Sequence, residues 1–89
     1  MPSKITEVFG EYGRAHDHSA NHRAEIDKSI HCGCFFCTEI FEPAKIEEWV
    51  DDDRTALCPH CGIDSVIGDS SGFPITKEFL TEMRQLWFS

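Results

Sequence analysis

Positive charge is scarce in this chain, long apolar runs are absent, and there are too few residues for a large core. Eight lysines and arginines stand against sixteen aspartates and glutamates, a formal net charge of −8. Proteins that grip phosphate backbones need a basic stripe to displace counterions, so nucleic acid is not the expected partner. From Met1-Pro2-Ser3-Lys4 onward there is no apolar core of a signal peptide and no stretch long enough to span a bilayer. The expectation is a cytoplasmic protein with no membrane contact. Familiar catalytic strings are missing too. Gly68-Asp69-Ser70-Ser71-Gly72 lacks the lysine and helix of a phosphate loop, and no nucleophile elbow occurs. The deaminase order of His-x-Glu followed by Pro-Cys-x-x-Cys also fails, because Pro59 lies inside the cysteine pair.

Eighty-nine residues allow one domain, and a chain of that size is marginally stable without help. What the sequence does contain supplies that help. Cys34-Phe35-Phe36-Cys37 and Cys58-Pro59-His60-Cys61 form two Cys-x-x-Cys pairs. Two residues between cysteines let one tight turn aim both sulfurs at a single ion, and Zn²⁺ takes four such ligands tetrahedrally. Cys34, Cys37, Cys58 and Cys61 are therefore the expected ligands of one structural Zn²⁺, whose binding energy becomes folding energy. Without an export signal, paired cysteines read as metal ligands rather than a disulfide framework. Gly62 follows the second pair and supplies a permissive backbone, whereas Thr38 follows the first. Cys32 is left over as a spare thiol, with ligand exchange or reactivity near the metal as its alternatives. His31 and His60 stand close enough in sequence to replace one cysteine.

The chain divides into an N-terminal helical segment, residues 1–31, and a zinc-knuckle module with a C-terminal helix, residues 32–89, within a single domain overall. Residues 32–64 hold two bases and eight acids, so most of the negative charge surrounds the metal module. Ile5, Val8, Phe9 and Tyr12 suggest short helical turns. Ser19 as N-cap opens a helix over about 19–29, with Ile26, Ile30, His22 and His18 along one line. Pro43 is suited to the first position of a second helix, with a Phe41–Ile46 staple before it. Ile46, Trp49 and Val50 share a face of that helix, and Asp51-Asp52-Asp53 ends it against the dipole. Thr55-Ala56-Leu57 and Ile63 to Ile67 read as the two strands of a hairpin around the second knuckle. Thr76 caps a C-terminal helix whose stripe is Phe79, Leu80, Met83, Leu86 and Trp87, with Ile75–Leu80 as its staple. Phe88 is the aromatic left over for contact.

A site closed by four thiolates has no open position for water, which argues against hydrolysis there. The alternative centre is His18, His22 and Glu25, spaced one helical turn apart and able to hold a second metal in a small metal-dependent enzyme. The zinc-protease string needs a glutamate directly after the first histidine, and Ser19 stands there instead. His16 has no assignable role.

Several stretches together resemble a group of short bacterial cytoplasmic proteins. They are Cys32-Gly33-Cys34-Phe35-Phe36-Cys37, Ile46-Glu47-Glu48-Trp49, the run from Thr55 through Cys58-Pro59-His60-Cys61-Gly62 to Gly68, and Phe79-Leu80 to Trp87-Phe88. The resemblance implies a zinc site and no particular reaction. The Cys-Pro-x-Cys-Gly knuckle is also similar to those of rubredoxin-like and zinc-ribbon proteins. The expected fold is a small α+β metal-bound domain, a zinc-ribbon-like double knuckle with a short β-hairpin and flanking helices. A treble clef is the alternative and would need a helix starting at Cys58–Cys61. The expected function is a zinc-binding, non-enzymatic adaptor or regulator acting through protein–protein contacts. Its partner would be basic, facing Glu47, Glu48 and Asp51 to Asp53 beside Trp49. The remaining alternatives are the small metal-dependent enzyme and a nucleic-acid-associated zinc ribbon.

Overall fold

The computed structural model describes residues 12–88. The expected helical turn at Ile5, Val8 and Phe9 lies outside them. A helical segment α1 (residues 12–17) precedes α2 (Arg23–Lys28), and strands β1 (Cys32–Cys34) and β2 (Ile40–Phe41) flank the first knuckle. A 3₁₀ turn (Pro43–Lys45) leads to β3 (Trp49–Val50) and β4 (Thr55–Ala56). After the second knuckle come β5 (Val66–Gly68), a second 3₁₀ turn (Asp69–Ser71) and α3 (Lys77–Phe88).

β1 is the middle strand of an antiparallel sheet ordered β2-β1-β5. Its three residues, Cys32, Gly33 and Cys34, are all buried because both faces of the sheet are covered. Side chains alternate along a strand, so Cys32 and Cys34 point one way and Gly33 the other. Register carries that alternation across the sheet: Cys32 pairs with Phe41 and Gly68, Gly33 with Ile40 and Ile67, and Cys34 with Val66. Phe41 and Val66 consequently join Cys32 and Cys34 in a core with Ile26, Ile46, Ala56 and Cys58. Ile67, on the Gly33 face, joins Ala15, Phe35, Phe79, Leu80 and Met83 in a second core beneath α3. Beyond the sheet, the end of α3 reaches the first knuckle, where the Arg84 guanidinium lies 4.7 Å from the centre of the Phe36 ring.

Gly33 is what lets α3 come close. A Cβ there would stand 2.6 Å from Leu80 Cδ1 and 3.0 Å from Ile75 Cγ2. Ile75 and Leu80, expected as a helix staple, therefore close over this glycine. The Thr76 cap is present, with the Phe79 amide donating to its Oγ1 at 3.1 Å. Of the expected stripe, Phe79, Leu80 and Met83 are buried, while Trp87 remains 38% exposed.

Other expectations are corrected. The helix expected from Ser19 begins at Arg23: the Ser19 hydroxyl donates to the His16 carbonyl at 2.6 Å, and Asn21 has φ 51°. No side chain caps the N-terminus of α2, and Ile30, expected beside Ile26, is 72% exposed. The expected helix after Pro43 stops after three residues. Trp49 and Val50 are extended instead and pair with Ala56 and Thr55. Asp51, Asp52 and Asp53 form the turn between those strands, with φ values of 55°, 58° and 64°. Short polar side chains tolerate that left-handed region, so the acids turn a hairpin and do not terminate a helix. Phe41 and Ile46 still meet in the core without the helix. The expected hairpin around the second knuckle is also rearranged: β4 pairs with β3, and β5 with β1. No helix starts at Cys58–Cys61, where the treble-clef alternative would need one. The architecture is a small α+β fold of short antiparallel sheets around a four-cysteine cluster.

Candidate metal centre

Each knuckle builds the same backbone loop. In the first, the Cys34 amide donates to the Glu39 carbonyl at 3.0 Å and the Thr38 amide to the Cys34 carbonyl at 2.8 Å. In the second, Cys58 donates to Ile63 at 3.0 Å and Gly62 to Cys58 at 2.9 Å. Amides two residues on point at the leading sulfurs: Phe36 at Cys34 Sγ, 3.3 Å, and His60 at Cys58 Sγ, 3.4 Å. Both loops turn out of the second cysteine through a left-handed residue, Thr38 at φ 63° and Gly62 at φ 78°. The glycine meets this demand freely. The β-branched threonine meets it under strain.

The two loops face each other and bring Cys34, Cys37, Cys58 and Cys61 together. All four sulfurs lie within 4.8 Å of one another, with Cys34–Cys61 and Cys37–Cys58 each at 3.6 Å. A tetrahedral ion with metal–sulfur bonds of about 2.3 Å has sulfur–sulfur edges of about 3.8 Å. The sulfurs therefore already have the spacing of a tetrathiolate cage, and the cluster can hold a metal ion. Cys34 and Cys58 are buried, while Cys37 and Cys61 are half-buried. All five cysteines are free of disulfides.

The thiols differ electrostatically. Burial pushes Cys37 up to about 11, and burial likewise raises Cys58 and Cys61 above the ordinary thiol value. Burial acts on Cys34 too, but the Ser65 hydroxyl and the Cys37 and Phe36 amides outweigh it and hold this thiol low. Cys32 is outside the cluster and fully buried. Burial first, then the Asp69 carboxylate, push it up to about 12. It is an inert core thiol, neither a spare ligand nor a nucleophile.

The histidines are accounted for by other contacts. His22 is buried with both ring nitrogens engaged: Nδ1–H donates to the His18 carbonyl at 2.6 Å, and Nε2 accepts the Ala56 amide at 3.0 Å. That bonding fixes its tautomer and leaves no lone pair for a metal. His18 pairs instead with Glu25, Nδ1 to Oε1 at 2.8 Å. The triad His18, His22, Glu25 is therefore not assembled as a metal site. Among the described residues the four cysteines are the one group of potential ligands close enough to share an ion. His31 lies outside it, its amide held by Asp69 at 3.1 Å. His60 contributes its amide rather than its ring, which sits 5.8 Å from Phe41. His16 packs against Trp87, ring centroids 4.3 Å apart. Trp49, expected on a binding face, is covered by the Arg23 guanidinium, 4.3 Å from its ring centre, and meets His22 edge-on. The left-handed turn at Thr38 matches its alignment with Gly62 in the sequence, whereas nothing local marks the hydroxyl of Ser65.

Comparison with family models, curated proteins and solved structures returns no match. Among the described residues no helix is long and apolar enough to cross a membrane.

Proposed function

We infer that this chain is a zinc-binding, non-enzymatic adaptor or regulatory protein of the cytoplasm, with a zinc-ribbon-like double knuckle whose one Zn²⁺ is structural. The observation that carries this reading is the closed set of four sulfurs at tetrahedral spacing. Four thiolates favour Zn²⁺ or iron over harder ions and leave no coordination position for a substrate or water. The engagement of both His22 nitrogens removes the main support for a second, catalytic metal. The likeness to short bacterial knuckle proteins belongs to the same reading.

Function then falls to the surface. Glu47, Glu48, Asp51, Asp52 and Asp53 are all exposed. Glu47 and Glu48 border a groove of about 230 Å³ that also touches Pro59 and Gly62 of the second knuckle. This acidic face suits a basic protein partner. Trp49 beside it is half-buried under the Arg23 guanidinium.

Elemental analysis of the purified protein tests the metal half: one Zn²⁺ per chain is expected, unchanged in His18→Ala. A second metal lost in that variant would overturn the non-enzymatic reading. The partner half is tested by quantitative capture with intact holoprotein against its Glu47→Lys/Glu48→Lys form. Captured protein should be basic, salt-sensitive and lost on charge reversal; retention by the reversed form removes the acidic face from recognition.

A further inference from the structure

The two knuckles are near-equivalent in backbone and in amide-to-sulfur bonds, so any difference between their leading cysteines comes from outside the loops. There is one such difference. Ser65 Oγ stands 3.2 Å from Cys34 Sγ, and among the described residues no hydroxyl bonds Cys58 Sγ. Ser65 is 1% exposed and Cys34 is fully buried, so water does not compete for either atom. Cys34 Sγ is the only hydrogen-bond partner of the Ser65 hydroxyl among the described residues. The rest of Ser65 is tied to the same knuckle, its carbonyl accepting the Phe35 amide at 3.0 Å. The residue also abuts β5, which pairs Val66 with Cys34. Its place is fixed by the sheet rather than by the loop it serves.

A metal-bound Cys34 is a thiolate and carries no proton. The only proton between the two atoms is then the one on Ser65 Oγ, and the bond is charge-assisted. Donation stabilises the sulfur as a thiolate and makes it a poorer target for the proton that must reach it before it can leave the metal.

We propose that Ser65 is a positioning residue of the metal centre, whose buried hydroxyl donates to the Cys34 thiolate and holds the metal on the first knuckle. Resting on the zinc-thiolate reading above, it makes Cys34 the last sulfur to leave the ion. Metal departs through the half-buried Cys37 and Cys61.

The test uses the full chain loaded with Co²⁺ and with Zn²⁺, as wild type, Ser65→Ala and Ser65→Thr. Wild type must first show the intense sulfur-to-cobalt charge-transfer bands of a tetrathiolate; their absence would end the zinc-thiolate reading itself. Given those bands, Ser65→Ala should move them to lower energy, because an unbonded sulfur gives up charge more easily. Zinc transfer to a chromophoric chelator should become faster by about 10-fold. Ser65→Thr should restore both. Bands that stay in place in Ser65→Ala would overturn the proposal, even with lower thermal stability, since a merely structural role moves stability alone. Should the alanine protein fail to fold, ¹¹³Cd-loaded wild type decides. A scalar coupling from the Ser65 hydroxyl proton to cadmium is expected beside those from the Phe36 and His60 amides. Amide couplings without the hydroxyl coupling would overturn it.

Discussion

Thr38 is a strained residue in a loop whose twin has already solved the problem. Its φ of 63° matches Gly62 at 78°, but its branched Cβ makes that region costly. Among the described residues its side chain makes no hydrogen bond that a glycine would forfeit. Thr38→Gly should raise stability by about 1 kcal/mol, or several degrees in Tm for a domain this size, measured by thermal melting of the holoprotein. His22 supplies the opposite case, a polar side chain whose burial is fully compensated. Burial lowers its pKa below the ordinary 6.5, against the smaller upward pulls of the His18 carbonyl and Glu25. The folded state therefore refuses a proton that the unfolded chain accepts. Stability is complete above about pH 6.5 and falls as pH drops toward the lowered folded value. Denaturant midpoints of the holoprotein at about pH 7.5 and about pH 5.5 should differ, and by less in His22→Gln. An equal difference in both proteins would assign the acid sensitivity elsewhere.

At the scale of elements, one glycine sets how the C-terminal helix meets the sheet. A Cβ on Gly33 would overlap Leu80 Cδ1, so Gly33→Ala should destabilise by about 1–3 kcal/mol through overpacking. Leu80→Ala alone should cost about 2–5 kcal/mol by leaving a cavity. Because the new methyl fills part of that cavity, the double variant should be more stable than the two losses added together. Chemical denaturation of the four proteins closes the cycle, and simple additivity would mean that Gly33 and Leu80 do not meet. The C-terminal helix itself was legible, since its stripe, its Thr76 cap and its Ile75–Leu80 staple are all local signals. The segment after Pro43 was not. Its apolar residues fit a helical face, but pairing of Trp49 and Val50 with Ala56 and Thr55 overrides a weak propensity. The three aspartates were ambiguous in the same way: the acids that oppose a helix C-terminus also tolerate a left-handed turn.

On the scale of the whole molecule, the cysteine cluster sits inside one of the two cores, with Cys34 and Cys58 packed among Ile26, Phe41, Ile46 and Val66. Loss of a metal held there would therefore open a core as well as a site. A structural zinc contributes on the order of 10 kcal/mol, comparable to the whole stability of a small domain. Chelation should unfold the protein cooperatively, seen as loss of α3 helicity by circular dichroism, and added Zn²⁺ should restore it. A chelated protein that keeps its helix would assign the cysteines a non-structural role. Raised thiol pKa values at Cys37, Cys58 and Cys61 add a direction: protons compete with the metal, so retention should weaken as pH falls.

The sequence by itself picked out the four clustered cysteines, because two-residue spacing brings each cysteine pair into one turn. It also determined the C-terminal helix and the acidic balance around the knuckles. Only the tertiary structure decided how the strands pair, that Cys32 is a core thiol, and that His22 bonds to backbone. Those outcomes depend on register and burial, which link residues such as His22 with Ala56, or Cys34 with Ser65, across some thirty positions. No local pattern encodes such contacts. They arise when the sheet closes and water is excluded, which also turns the Ser65 hydroxyl toward the sulfur cluster.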